Sequence, residues 1–238
     1  MFNQDYISTM LELVEEAISS QQDRIEEGAE KIADSLGNGG ILHTFGSGHS
    51  AMIAKEITGR AGGLVPVNQI IDPTEGMAER VEGYGSVLLD NYENRYGMKE
   101  GEVVIVISTS GRNPLPLEIA MESNSRNLHT VAITSLEYSR QSDSRHSSGK
   151  RLFEVADTVL DNHVPPGDAI IEIDSEGQKA GPASTITGAF LINSLVLRTV
   201  EGMIDRNMKP PILRSLNLDG AKERNRELME KYQSRLAK

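Results

Sequence analysis

Two short stretches concentrate residues that can hold an anion: Gly46-Ser47-Gly48-His49-Ser50 and Ser108-Thr109-Ser110-Gly111. Each follows an apolar, strand-like run and precedes a helix-periodic one. Free N–H groups and the positive dipole end of a helix project from such a junction, and hydroxyls add donors without adding charge. A single phosphate held by two converging loops accounts for both stretches. Through Gly46, Gly48 and Ala51 the first also fits Gly-x-Gly-x-x-Ala, a dinucleotide pattern, but nicotinamide binding gives no reason for the second loop. Read as residues alone, Ser108 to Gly111 also fits a plain strand-to-helix turn with capping serines, and Gly46 to Ser50 a tight packing turn.

Composition narrows the remaining chemistry. The 238 residues include no cysteine, and 24 Lys+Arg stand against 35 Asp+Glu for a formal net charge of −11. Disulfides, thiolate metal sites and thiol nucleophiles are therefore excluded, which leaves carboxylates, imidazoles, hydroxyls and backbone amides. The acidic balance argues against a nucleic-acid partner, because phosphate backbones are bound by clustered Lys and Arg. No run of about 18 apolar residues suggests a membrane span, and the first residues are acidic and amphipathic rather than a basic leader. The expectation is a cytoplasmic protein.

The elements that must position the two loops can be read from periodicity. Tyr6 to Leu36 has helical spacing with a weak patch at Gln21-Gln22, so it is one long helix or two abutting ones, ended by Gly37 to Gly40. Five strand-like runs follow: Ile41 to Phe45, Leu64 to Ile71, Val103 to Ile107, Thr130 to Thr134 and Thr158 to Asp161. Helix-periodic segments lie between them, Pro114 is placed to open one, and Ala183 to Asn207 forms another before Pro210-Pro211. Asp168 to Asp174 is a candidate short strand. The serine-rich segment Ser135 to Arg151 reads as a surface loop, and 220–237 as a charged C-terminal helix with Leu228, Met229, Tyr232 and Leu236 on one face. Strands alternating with helices imply βαβ units, a parallel sheet, and ligand binding at the carboxyl ends of its strands.

Phe45-Gly46-Ser47-Gly48-His49-Ser50 together with Ile107-Ser108-Thr109-Ser110-Gly111-Arg112-Asn113-Pro114 closely resembles the SIS (sugar isomerase) domain superfamily, from about residue 7 to 208. The phosphoheptose isomerase branch is the most similar, through Ala54 to Arg60 and Gly101-Glu102-Val103, whereas Arg112-Asn113-Pro114 leans toward the N-acetylmuramic acid 6-phosphate etherases. The resemblance implies a single α/β domain over 1–238, with a core at about 37–208. Its implied architecture is a three-layer αβα sandwich on a five-stranded parallel sheet, flavodoxin-like, with additional helices at 6–36 and 220–237.

The same resemblance implies a phosphosugar ligand contacted by Gly46, Ser47, Gly48, Ser108, Thr109, Ser110 and Asn113. The implied activity is aldose–ketose isomerisation or a related lyase reaction, with Glu56 as general base and His49 or Glu75 assisting. A non-catalytic phosphosugar-binding sensor is the alternative. By residue type alone, Glu56 is an ordinary helix glutamate, His49 a locally bonded loop histidine and Glu75 an exposed loop acid. Phosphoheptose isomerases carry a histidine where this chain has Met52, and Ala183 to Asn207 holds none, with Thr185 and Asn193 near the expected positions. No metal and no cofactor is therefore expected. His43 reads as a satisfied core histidine, His129 and His163 as surface or strand-edge residues, and Glu118 and Glu122 as solvated. A homodimer or dimer of dimers is implied, with the first helix and the Leu228 stripe as candidate contacts.

Overall fold

A computed structural model describes residues 1–174 and 176–236. The N-terminal segment forms two helices, α1 (Phe2–Ser19) and α2 (Gln22–Gly37), broken at the weak patch read from the sequence. At the break, the Gln21 side chain accepts a hydrogen bond from the Asp161 amide at 3.1 Å. The sheet comprises β1 (Leu42–Gly46), β2 (Val67–Ile70), β3 (Val103–Ile107), β4 (His129–Thr134) and β5 (Thr158–Asp161) in the order β2-β1-β3-β4-β5, all parallel. Between them run α3 (Ser50–Glu56), α4 (Tyr84–Tyr96), α5 (Pro114–Ser125) and the short α6 (Leu136–Arg140). Then come the antiparallel hairpin β6 (Ala169–Glu172) and β7 (Lys179–Pro182), the long α7 (Ser184–Asp205) and α8 (Ala221–Glu230).

Helices cover both faces of the sheet, as its continuous apolar strands require. Val103, Ile105 and Ile107 of β3 pack with α2, α3 and α7, while Val104 and Val106 pack with α4 and α5. This is the expected three-layer αβα sandwich. No helix among the described residues is long and apolar enough to cross a membrane.

Several boundaries differ from the sequence reading. The second strand starts at Val67, because Pro66 has no N–H to pair and the preceding Val65 donates instead to the Pro211 carbonyl. The 168–174 segment does form a strand, partnered by β7. The C-terminal helix ends at Glu230, short of the expected 237, a position outside the described residues. Glu118 is buried rather than solvated: its carboxylate accepts from the Gly83 amide and, at 2.6 Å, from the Gly85 amide, so it caps the N-terminus of α4.

The opposite end of the sheet is closed by a buried charged network. His43 is fully buried, with Nδ1 2.7 Å from the Tyr92 hydroxyl and Nε2 3.1 Å from Glu102. Because the Glu102 carboxylate only accepts, His43 carries its proton on Nε2 and accepts from Tyr92 through Nδ1. Arg235 reaches the same carboxylate through both terminal nitrogens, and the Ile41 and Lys99 amides complete its shell. Burial alone would raise the Glu102 carboxyl. The Arg235 and His43 hydrogen bonds overcome that and hold it at about 2. Burial lowers the His43 imidazole despite its bond to Glu102.

Both shifts make acid destabilising. A buried imidazole that resists protonation loses stability as pH falls below its unfolded value of about 6.5. The depressed Glu102 carboxyl contributes about 3 kcal/mol above its unfolded value, and this is lost as pH falls toward about 2. Urea midpoints should therefore fall in two stages on acidification, and Glu102→Gln should flatten the lower one. A wild-type midpoint constant across the lower stage would remove the network from the stability of the fold.

Candidate functional site

Gly46 at the end of β1 pairs in register with Ile107 at the end of β3, so the two loops leave the sheet side by side. A Cβ on Gly46 would lie 2.3 Å from the Ser50 carbonyl oxygen, and Gly48 has φ +55°, so the first loop folds back tightly onto its own helix. The Ser50, Ala51 and Met52 amides are spent on the carbonyls of Ser47, Gly48 and His49. Ser47 is buried, and its hydroxyl has no hydrogen-bond partner among the described residues.

The second loop is held by its carbonyls and leaves its donors open. The Thr109 carbonyl accepts from the Ser135 amide and the Thr134 hydroxyl, and the Ser110 carbonyl from the Ser139 hydroxyl at 2.7 Å. The hydroxyls of Ser108, Thr109 and Ser110 and the amides of Thr109 to Arg112 donate to no acceptor among the described residues. Open helix amides contribute nothing at this loop, contrary to the sequence reading. Pro114 and Pro116 have no N–H, and the Leu115 amide is donated to the Glu79 carbonyl at 3.1 Å. The loop's own backbone and hydroxyls are the donors, a concave arrangement suited to an anion.

These loops form one wall of a 350 Å³ cavity lined also by His49, Glu79, Arg80, Arg112, Asn113, Tyr138, Arg145 and Asp168. Arg145 comes from the segment expected to be a surface loop. That segment is fastened over the cavity: Ser135 caps α6, the Arg145 amide donates to the Arg112 carbonyl, and the Arg145 guanidinium donates to Asn113 Oδ1 at 2.8 Å. His146 lies 3.5 Å from both Glu82 and Glu118. Asn113, an expected ligand contact, lines the cavity, and its amide nitrogen also donates to Glu79 at 2.6 Å. Asn113 thereby links Arg145 to Glu79. Sequence reasoning missed Arg80, Arg112, Arg145 and Asp168. Only Arg112 carried a local signal, its place directly after the serine loop.

His49 also lines an adjoining 560 Å³ cavity, with Lys55, Gln69, Asp72 and Glu75. Asp72 shapes this wall by accepting from Thr74, Gly76 and Tyr84. Burial would raise its carboxyl, but those bonds hold it below the usual range. The turn presents Glu75 with φ +53°. Glu56 lines neither cavity: it ends α3, pairs with Arg60 and lies 3.4 Å from Asn193. The structure thus brings together His49 and Glu75 but not Glu56. No three His, Asp or Glu side chains among the described residues cluster as candidate metal ligands.

The SIS domain family matches residues 5–135. A UPF0309 protein of Geobacillus kaustophilus is 38% identical over 99% of this chain and 96% of its own length, and one of Caldanaerobacter subterraneus is 40% identical over 97% of each. The chain is a SIS-domain protein of the UPF0309 family. Its fold is shared with phosphoheptose isomerase from Neisseria gonorrhoeae, with TM-score 0.57, 18% identity, and coverage of 83% of this chain and 96% of that one. The Vibrio vulnificus NanR protein complexed with ManNAc-6P gives TM-score 0.57 at 12% identity, covering 97% of this chain and 68% of that one. At such identities the likeness concerns the fold.

The two glycines of the first loop should respond differently to a methyl group. Gly48→Ala meets no atom within 4 Å and should cost about 1 kcal/mol for its left-handed backbone. Gly46→Ala must push the Ser50 backbone aside, and should cost about 1–3 kcal/mol and displace the loop. Urea unfolding of the two variants would show equal losses if the close approach at Gly46 were unimportant.

Proposed function

We propose that this protein binds a sugar phosphate and interconverts its aldose and ketose forms. The observation that carries the reading is the buried Ser47 hydroxyl, unpartnered among the described residues, beside a loop whose three hydroxyls and four amides also donate to no acceptor among them. A buried donor without a partner costs about 1–3 kcal/mol. A phosphate oxygen would recover that cost, and neighbouring loop donors would take the others. The sugar would then extend past His49 into the adjoining cavity.

There the chemistry needs one base and one proton carrier. The Glu75 carboxylate takes the proton from the carbon beside the carbonyl, the electrons of that C–H bond form the enediol, and Glu75 returns the proton to the neighbouring carbon. The His49 imidazole passes the second proton between the two oxygens. One observation favours a second reading, a binding module without turnover: Glu56, the glutamate that the resemblance ties to acid–base catalysis, lies outside both cavities in an ion pair with Arg60.

Ser47→Ala separates a ligand contact from a structural serine. It should leave the fold as stable or more stable by about 1 kcal/mol, while weakening phosphosugar binding about tenfold. Lower stability with unchanged binding would place the hydroxyl in the fold rather than the site. Turnover across a phosphosugar panel, followed for both isomerisation and elimination, should fall by about two orders of magnitude or more in Glu75→Gln. If only Glu56→Gln abolishes turnover, the base is Glu56. Tight binding with no turnover in the wild type supports the binding module.

We further propose a homo-oligomer. Apolar Phe190, Leu197 and Ile204 lie exposed at seven-residue intervals on α7, with Ile7 and Leu11 exposed on α1. Light scattering should give at least twice the chain mass of 26.0 kDa, and a monomer at micromolar concentration would refute it.

A further inference from the structure

Arg80, Arg112 and Arg145 stand on the wall of one 350 Å³ cavity in a chain of net charge −11. Elsewhere the acidic surface pairs its arginines readily: Arg126 alone meets Asp90, Glu93 and Glu122. None of the three cavity guanidiniums is ion-paired to a carboxylate among the described residues. Arg112 donates Nε to the Asp143 carbonyl at 2.8 Å, Arg145 donates to the Asn113 amide oxygen, and Arg80 has no hydrogen-bond acceptor among the described residues. Neutral acceptors aim a guanidinium without cancelling its charge.

Two carboxylates share the wall, and both are engaged elsewhere. Asp168 accepts from the Ala183 and Ser184 amides and the Ser184 hydroxyl at the start of α7. Glu79 accepts from Asn113. Asn113 thus joins Arg145 to Glu79, the residue before Arg80, and Arg80 and Arg145 line the same cavity.

A phosphate monoester carries about −1.5 to −2 charges. Ser47 and the open donors of residues 108–112 can satisfy it without three arginines. We infer that Arg80 and Arg145 form a second anion subsite, and that the substrate is a sugar phosphate bearing a further anionic group, a carboxylate or a second phosphate. This rests on the phosphosugar reading above and deepens it.

Calorimetric titration with matched pairs tests it: fructose 6-phosphate against fructose 1,6-bisphosphate, and glucose 6-phosphate against 6-phosphogluconate. The first pair probes a second phosphate and the second a carboxylate. At least one doubly anionic member should bind about tenfold tighter than its partner, the gain expected from added charge-assisted bonds. Arg80→Gln and Arg145→Gln should remove that advantage while monophosphate affinity stays within about threefold. Equal affinity within both pairs overturns the subsite while leaving the phosphosugar reading intact. So does an advantage that survives in the double variant, or a monophosphate affinity that falls in step with it. Failure of the wild type to bind any of the four sugars would overturn the phosphosugar reading itself.

Discussion

The pairing of β1 with β3 is the contact on which the mouth of the sheet depends. In the order β2-β1-β3-β4-β5, the chain leaves β1 toward one edge and returns to its other side for β3, so crossovers on the two sides run over opposite faces and a crevice opens between them. Register does the rest. Because Gly46 stands opposite Ile107, the serine of one loop and the three hydroxyls of the other emerge at the same height. A slip of one residue along either strand would turn every apolar side chain of that strand to the wrong helical layer. The hydrophobic cores on the two faces, split between alternate residues of β3, therefore fix the geometry of the polar site.

The two ends of this sheet solve opposite electrostatic problems. At the closed end, His43, Glu102, Tyr92 and Arg235 saturate one another, and the carboxylate is held ionised in a buried setting because a bidentate guanidinium and two amides reach it. At the open end, donors are left unmatched. Among the described residues, Ser47 is buried without a partner, the amides of Thr109 to Arg112 meet no acceptor, and the Arg112 and Arg145 guanidiniums are aimed by neutral oxygens while Arg80 has no acceptor. Saturation adds stability, whereas unmatched donors cost it. That contrast within one small domain separates a structural charge network from the donors on which the phosphosugar proposal rests. Under that proposal an acidic protein attracts an anion locally, without drawing on its net charge.

Parts of the molecule far apart in sequence meet at the site through backbone bonds rather than through core packing. The 135–151 segment is rich in serine because its serines serve as connectors: Ser135 caps α6, Ser139 holds the Ser110 carbonyl and Ser144 holds the Lys150 carbonyl. Through them Arg145 and His146 reach α5 and the residues before α4. Glu118 plays the matching part from α5, capping α4 so that the turn carrying Glu79 and Arg80 abuts the cavity. Asn113 then ties the two together.

Local chemistry determined the sheet, the two hydroxyl-rich loops and the satisfied His43, because strand periodicity, glycine freedom and hydroxyl clustering act over a few residues. The break between α1 and α2 was visible for the same reason. What the sequence could not supply was everything that depends on distance through space. Glu118 and Glu122 share one helix, yet only the approach of the α4 N-terminus buries the first. Glu56 carries the right motif but meets Arg60 and Asn193, while its neighbour Lys55 on the same helix lines the cavity. Arg80 and Arg145 are 65 positions apart with no pattern linking them, and only the folded chain sets them on one wall. Charge spacing along a chain says little about charge spacing in a cavity, because the crossovers of a parallel sheet bring together residues whose separation in sequence is set by helices that have nothing to do with the ligand.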